Sequence, residues 1–482
     1  VRIDDFLPAA SDALRAASAR AADFFTPAAR LGVTGLSGSG KTVFITALVR
    51  NLVAGGRLPF FAPVSEGRVS RAYLEPQPDD GVPRFDYEAN LARLARDPPD
   101  WPEGTRQISQ LRLTIEYQSR SALGRAFGPS RLHLDIVDYP GEWLIDLSML
   151  GQDFAAWSAE ALALAREPRR LALAQPFLAF LETAVPGARD SERTAIEGAR
   201  LYTAYLIAAR GADRLSVLGP GRFLTPGDLA GAPLLAFFPL HAAAAPEPLR
   251  RMLEKRFESY KARCVRPFFR DHFSKLDRQI VLVDALAAIG AGPEAVLDLE
   301  RALTAVLQAF RPGAGSWLAA LMGSRIDRIL FAATKADHLH RADHDRLEAI
   351  LRLLTDRAAT RAAAAGAGIR VMALAALRAT RETEARAGTG PLPCVAGVPL
   401  AGETAGGRRF DGRTETVIFP GDLPSDPRDV FDPARAAALA NQFQFPRFRP
   451  ARFPPEGADE ARALPHIRLD RALDFLLSDR LR

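Results

Sequence analysis

Apolar and polar residues alternate most clearly in Leu111-Arg112-Leu113-Thr114-Ile115-Glu116-Tyr117, the core of a predicted strand over 107–117. Short, almost wholly apolar runs mark further strands at 30–34, 132–138, 279–283, 327–333 and 368–374. Helical spacing follows several of them, over 43–53, 294–310 and 343–360. Strands that alternate with helices predict an α/β domain with a mostly parallel sheet. Residues 144–276 interrupt it with Ala/Leu-rich amphipathic text broken near Pro186, Gly219-Pro220 and Pro239, which reads as a large helical insertion. Within it, 229–246 is apolar but carries Pro233, Pro239 and His241, and reads as a buried strand or loop.

The remaining stretches are less periodic. Residues 1–29 suggest an amphipathic helix through Leu7, Leu14, Ala17 and Phe24. Residues 55–104 are rich in Pro, Gly and Asp and read as an insertion of loops and short elements. Residues 385–464 read as a small β-containing or irregular extension, with Thr416-Val417-Ile418-Phe419 as a strand piece. Leu469, Leu473 and Leu476 predict a closing helix. The expected division is therefore 1–143 and 277–384 for the two parts of the α/β domain, 144–276 for the insertion and 385–482 for the extension. No internal repeat is visible.

Composition narrows the class. At 482 residues two or three domains are expected, and 48% hydrophobic with 25% charged residues suits a globular protein. Two distant cysteines, Cys264 and Cys394, offer neither a disulfide framework nor zinc spacing and suit a reducing cytoplasm. No signal peptide is expected, because Asp4-Asp5 and early arginines interrupt the first residues, and no uncharged apolar run reaches the ~18–20 residues of a membrane span. A cytoplasmic protein follows, with peripheral contact to the inner membrane left open. The net charge of +6 is spread along the chain and argues for no specific nucleic-acid partner. Only five of the basic residues are lysines, and two of these, Lys41 and Lys335, fall inside motifs where a compact ammonium is required.

The first motif is Gly35-Leu36-Ser37-Gly38-Ser39-Gly40-Lys41-Thr42, set between a strand and a helix. Its glycines let successive N–H groups turn inward, so Ser37, Gly38, Ser39, Gly40, Lys41, Thr42 and Val43 form a phosphate cradle at a helix start. Lys41 would reach the β- and γ-phosphates, and the Thr42 hydroxyl would ligate Mg²⁺. The strand ending at Asp138 runs into Asp138-Tyr139-Pro140-Gly141-Glu142, a carboxylate for Mg²⁺ and a glycine N–H for the γ-phosphate. Glu142 either orients the attacking water or is a solvated first-turn residue. Thr105, in Trp101-Pro102-Glu103-Gly104-Thr105, occupies the place of a switch threonine that would meet Mg²⁺. Thr334-Lys335-Ala336-Asp337 follows another strand, and an aspartate there can accept both the N1–H and the 2-amino group of guanine. The backbone of Ala375, Ala376 or Leu377 could then serve the guanine carbonyl.

Other features carry less. His338, His340 and His344 suit a solvated turn more than a metal site. Asp284 reads as a loop cap or a pocket acid. The alternating aromatics of Gln442-Phe443-Gln444-Phe445-Pro446-Arg447-Phe448 suit a half-buried strand in a core more than a base-stacking platform.

In order, GLSGSGKT, WPEGT, DYPGEW, TKAD, ALRAT and a closing HIRLDRALDFLL resemble the YcjX-like family of bacterial stress-associated P-loop proteins over nearly the whole chain. The resemblance implies a Ras-like P-loop fold with an inserted helical region, GTP/GDP binding at Gly38 to Thr42, Asp138 and Thr334 to Asp337, and a stress setting. Lys41, Glu142 and Thr105 are the catalytic candidates, and Thr42, Thr105 and Asp138 the Mg²⁺ candidates. No arginine announces itself as a charge stabiliser, although many in the helical insertion could serve, so slow GTP hydrolysis aided by an unknown protein effector or activator is expected. An ATPase of the same fold and a nucleotide-gated scaffold with negligible turnover stay open.

Overall fold

The structure, a computed structural model, describes residues 26–105, 107–121, 128–212, 215–241, 245–308, 326–364, 366–387, 390–435, 442–452 and 463–482. The helix expected through Leu7 to Phe24 lies outside them. Seven strands form one sheet: β1 (Ala28–Gly35), β2 (Val69–Glu75), β3 (Ser109–Tyr117), β4 (Ser130–Asp138), β5 (Arg278–Val283), β6 (Arg328–Ala333) and β7 (Gly368–Ala373). Their order is β2-β3-β4-β1-β5-β6-β7. The run β4-β1-β5-β6-β7 is parallel, while β3 is antiparallel to both β2 and β4. This is the α/β Ras-like P-loop architecture with a helical insertion.

The period-two rule explains the layers. Along β5, Ile280 and Leu282 enter the core shared by the P-loop helix (Lys41–Val53) and the closing helix (Leu469–Leu477), and Val281 and Val283 enter the opposite core. Along β6, Leu330 and Ala332 face the first core, and Ile329, Phe331 and Ala333 the second. The register sets Val33 opposite both Asp138 and Ile280, and Ala333 opposite both Val283 and Ala373. Every loop carrying a motif therefore leaves the same sheet edge, the carboxyl end of the parallel strands, where open α/β sheets bind ligands.

The insertion is built on helices Phe154–Ala165, Pro168–Thr183, Ser191–Ala212 and Glu247–Tyr260. Asp153 caps the first by accepting the Ala156 N–H at 2.7 Å. Phe177, Tyr202, Phe237 and Phe257 are buried in one core with Tyr139, Val281 and Phe331 of the sheet domain. A buried ion pair joins Arg170 of the insertion to Asp298 of helix Pro293–Gln308, and Asp298 also accepts the Val217 N–H at 3.0 Å. Of the apolar 229–246 stretch, residues 229–241 are loop and 3-10 turn, with Phe237, Phe238 and Leu240 buried.

One expectation changes and two gain detail. Among the short elements of 55–104, β2 adds an edge strand to the main sheet. Its pattern is weak since only Ala72 is buried and a register shift falls between Val69 and Arg71, as befits an edge. The extension holds a three-stranded antiparallel sheet of β8 (Arg381–Ala387), β9 (Gly390–Gly397) and Thr416–Ile418, ordered with β9 central. Gln442 to Phe448 is no strand: only Phe448 bridges, to Pro399, while Phe443 and Phe445 stack on each other.

Asp146, just after the DYPGEW turn, ties the start of the insertion to its later part. It accepts the Gly221 N–H at 2.8 and 3.0 Å and the Tyr260 hydroxyl. Burial pushes its carboxyl from 3.8 up to about 7, against the pull of those donors. The folded state thus holds a proton that the unfolded state has released, so stability from this group falls as pH rises through that interval. Asp146→Asn is expected to melt above wild type near about pH 8 and together with it below about pH 4, read by thermal unfolding across pH.

Candidate functional site

The phosphate loop has the shape its glycines require. Gly38 and Gly40 take left-handed φ of 80° and 89°, and helix Lys41–Val53 starts without a side-chain cap. Its first N–H groups are thereby left for an anion, at the positive end of the helix dipole. Lys41 is buried, and its Nζ donates to the Gly35 carbonyl at 2.6 Å. The Thr42 hydroxyl donates to the Glu103 carbonyl at 3.0 Å, and the Thr105 hydroxyl to Asp138 Oδ2 at 2.7 Å. The 101–105 segment thus lies across the loop, tied further by the Trp101 indole N–H to the Phe448 carbonyl at 2.7 Å.

Asp138 is buried, and its Oδ1 has no hydrogen-bond partner. Burial raises its carboxyl to about 6, while the Lys41 ammonium and the Thr105 hydroxyl oppose that rise. A buried carboxylate oxygen without a donor, beside the Thr105 hydroxyl, fits a hard cation such as Mg²⁺. Gly141 sits where a Cβ would stand 2.5 Å from the Gly35 carbonyl oxygen, so no larger residue fits without moving the loop. Glu142 is not a solvated first-turn residue: it is buried, and its Oε1 accepts the Ser37 N–H at 2.9 Å.

At the other end of the cleft, Lys335 is one of two non-glycine residues with positive φ among those described, at 60°. Its ammonium pairs with Asp284, which also caps the next helix through the Ala287 N–H at 3.2 Å, so Asp284 is both cap and pocket acid. The Thr334 N–H donates to the Val283 carbonyl at 2.9 Å. Asp337 is buried, with Oδ2 accepting the Ala379 N–H at 2.7 Å and its carbonyl accepting the Thr380 hydroxyl. The Ala375 N–H donates to the Ile467 carbonyl at 3.1 Å. That donor is spent, which leaves Ala376 and Leu377 for a base carbonyl.

A cleft of about 340 Å³ brings Gly38, Ser39, Gly40, Lys41, Thr42, Val43, Thr105, Thr334, Lys335, Asp337, Ala375, Ala376 and Leu377 into one lining. Ser37 and Glu142 instead line an adjoining hollow of about 210 Å³, and Asp138 and Gly141 lie behind the P-loop in neither. Sequence reasoning missed Leu400, Arg447 and Phe448, which close the cleft from the extension; no local pattern links them to the P-loop. It also placed two of the three histidines wrongly. His338 and His344 are buried, the first against Phe448 and the second with its Nε2 2.9 Å from the Ala336 carbonyl, because the turn after Thr334 packs inward. Among the described residues no group of His, Cys, Asp and Glu forms a metal cluster. A larger hollow, about 740 Å³, lies against the extension and holds none of the candidate site residues.

Residues 29–481 match the YcjX-like family, DUF463. The chain is 39% identical over 467 residues to a protein of Escherichia coli K12 named Ras-like GTPase YcjX, covering 94% of this chain and 96% of the relative. A protein of the same name from Shewanella oneidensis is 35% identical over 491 residues, covering 94% of each.

Proposed function

The chain belongs to the YcjX-like family, and we propose that it binds GTP and GDP with Mg²⁺ and hydrolyses GTP slowly as a Ras-like switch. The observation that carries the reading is the single cleft with a phosphate cradle at one end and the buried Asp337 carboxylate at the other. In that cleft the amides from Gly38 to Val43 hold the β-phosphate, and Lys41 leaves the Gly35 carbonyl for the β- and γ-oxygens. Thr42, Thr105 and Asp138 would hold Mg²⁺, which when bound neutralises charge on the phosphate oxygens. Asp337 accepts from guanine N1–H and the 2-amino group, a donor pair that adenine lacks. Glu142 stands beside the loop, where it orients either the water or the loop itself.

The names of both relatives support the GTPase reading. The division into a sheet domain over 1–143 and 277–384, an insertion and an extension is part of the same proposal, as is a protein effector or activator. No helix among the described residues is long and apolar enough to cross a membrane, and peripheral contact with the inner membrane belongs to the same proposal. A setting in a bacterial stress response rests on the family resemblance alone.

Titration of the purified chain with fluorescent GDP, GTP and ATP, followed by single-turnover hydrolysis, tests the reading. Guanine nucleotides are expected to bind at least about 100-fold tighter than ATP, because a mismatched base leaves Asp337 unpaired. Preferred ATP binding would mean an ATPase of the same fold. Tight GTP binding with hydrolysis no faster than in buffer would mean a scaffold.

A further inference from the structure

We propose that Arg210, in the last turn of insertion helix Ser191–Ala212, is a catalytic arginine supplied in cis, which stabilises charge on the γ-phosphoryl group during GTP hydrolysis. The inference rests on the GTPase reading above. Arg210 lines the hollow of about 210 Å³ together with Ser37, Gly38, Ser39, Glu142 and Lys335. Gly38, Ser39 and Lys335 also line the nucleotide cleft, so the two spaces meet over the phosphate loop. The hollow lies on the Glu142 side of that loop, the side where the terminal phosphate and the attacking water belong.

Charge accounting singles out this residue. Lys335 is paired with Asp284, Arg447 with Glu403 at 2.7 Å, and Lys41 is held by the Gly35 carbonyl. Arg210 is only partly exposed, and its side chain has no hydrogen bond or ion pair among the described residues. The Glu142 carboxylate adds negative charge beside the γ-phosphate, and a guanidinium lining the same hollow offsets it. The mount is rigid as well. Tyr202, Tyr205, Leu206 and Ala209 bury the helix carrying Arg210, and Val217 just beyond is fastened to Asp298. A donor held in place by packing stabilises developing charge without reorganising at the moment of reaction.

In the step concerned, water adds to the γ-phosphorus and the bond to the β–γ bridging oxygen breaks. The bonding pair leaves on GDP, and the proton of the water ends on the released phosphate. Arg210 donates to a γ-oxygen or to the bridging oxygen as charge builds there. Arginines in this role accelerate hydrolysis by about 10³–10⁵-fold in other nucleotide switches.

The test uses the full chain. Single-turnover GTP hydrolysis, GDP affinity and binding of GDP with aluminium fluoride are measured for wild type, Arg210→Ala, Arg210→Lys and Arg447→Ala. Arg210→Ala is expected to hydrolyse at least about 100-fold more slowly, to lose the aluminium fluoride complex and to keep GDP affinity within about threefold. Arg210→Lys should recover only part of the rate, since an ammonium lacks the guanidinium fork. Hydrolysis by Arg210→Ala at the wild-type rate overturns the inference and leaves the GTPase reading standing. So does a large slowing in Arg447→Ala alone, or a loss of GDP affinity in Arg210→Ala that matches its loss of rate. A wild-type chain that binds no GTP overturns the GTPase reading, and the inference with it.

Discussion

Asp337→Asn is expected to weaken GTP binding by about a hundredfold or more while strengthening binding of xanthosine triphosphate. Two hydrogen bonds to an ionised acceptor are at stake, each about 1.5–3 kcal/mol. The aspartate is buried in the turn after β6, and among the described residues only its Oδ2 is engaged, by the Ala379 N–H at 2.7 Å. Asparagine can keep that bond through its amide oxygen, so the turn should hold. Its NH₂ group would then face the N1–H and 2-amino group of guanine, donor against donor. Xanthine carries an oxygen at position 2, which the same NH₂ can meet. Competition of both nucleotides against a fluorescent GDP reads the exchange, and far-UV circular dichroism checks the fold. Unchanged GTP affinity in the variant would remove Asp337 from base recognition.

Lys41→Ala is expected to reduce GTP hydrolysis by about 10²–10³-fold, the loss typical when one preorganised donor to developing charge is removed. Two effects add. The phosphates lose a buried ammonium now held 2.6 Å from the Gly35 carbonyl, ready to be handed over. Asp138 loses the cation that opposes its desolvation, so a carboxyl that burial already pushes up to about 6 rises further and is neutral at the pH where it should be an anion. GTP affinity and single-turnover rate both read this loss, and a rise of pH should restore a small part of it by ionising Asp138. Turnover at the wild-type rate would place the chemistry elsewhere.

The parts of the site legible in the sequence are those in which one short segment performs a whole physical task. Gly38 and Gly40 turn the backbone, and Lys41 and Thr42 follow at fixed spacing. The buried runs ahead of Asp138 and Thr334 could only be strands, and their tips had to lie at one sheet edge. Where the segment is an edge or depends on distant partners, the pattern fades. Strand β2 buries only Ala72 and was invisible, and the aromatics from Phe443 to Phe448 alternate as a strand would without pairing as one. The histidines after Thr334 look solvated by composition, yet the turn packs His338 against Phe448, more than a hundred residues away in the chain.

By itself the sequence determined the parallel strands of the sheet, the order of its motifs and the turn chemistry of the phosphate loop. These follow from backbone freedom, hydrogen-bonding capacity and periodicity, all local properties. Tertiary structure alone decided how the insertion and the extension meet that sheet. The insertion shares one continuous core with Val281 and Phe331, its Arg210 lines one hollow with Glu142 and the phosphate loop of the sheet domain, and the extension brings Arg447 and Phe448 across the cleft. The reason is physical: which apolar faces bury one another depends on the shape of both, and no short stretch of chain carries the shape of its partner.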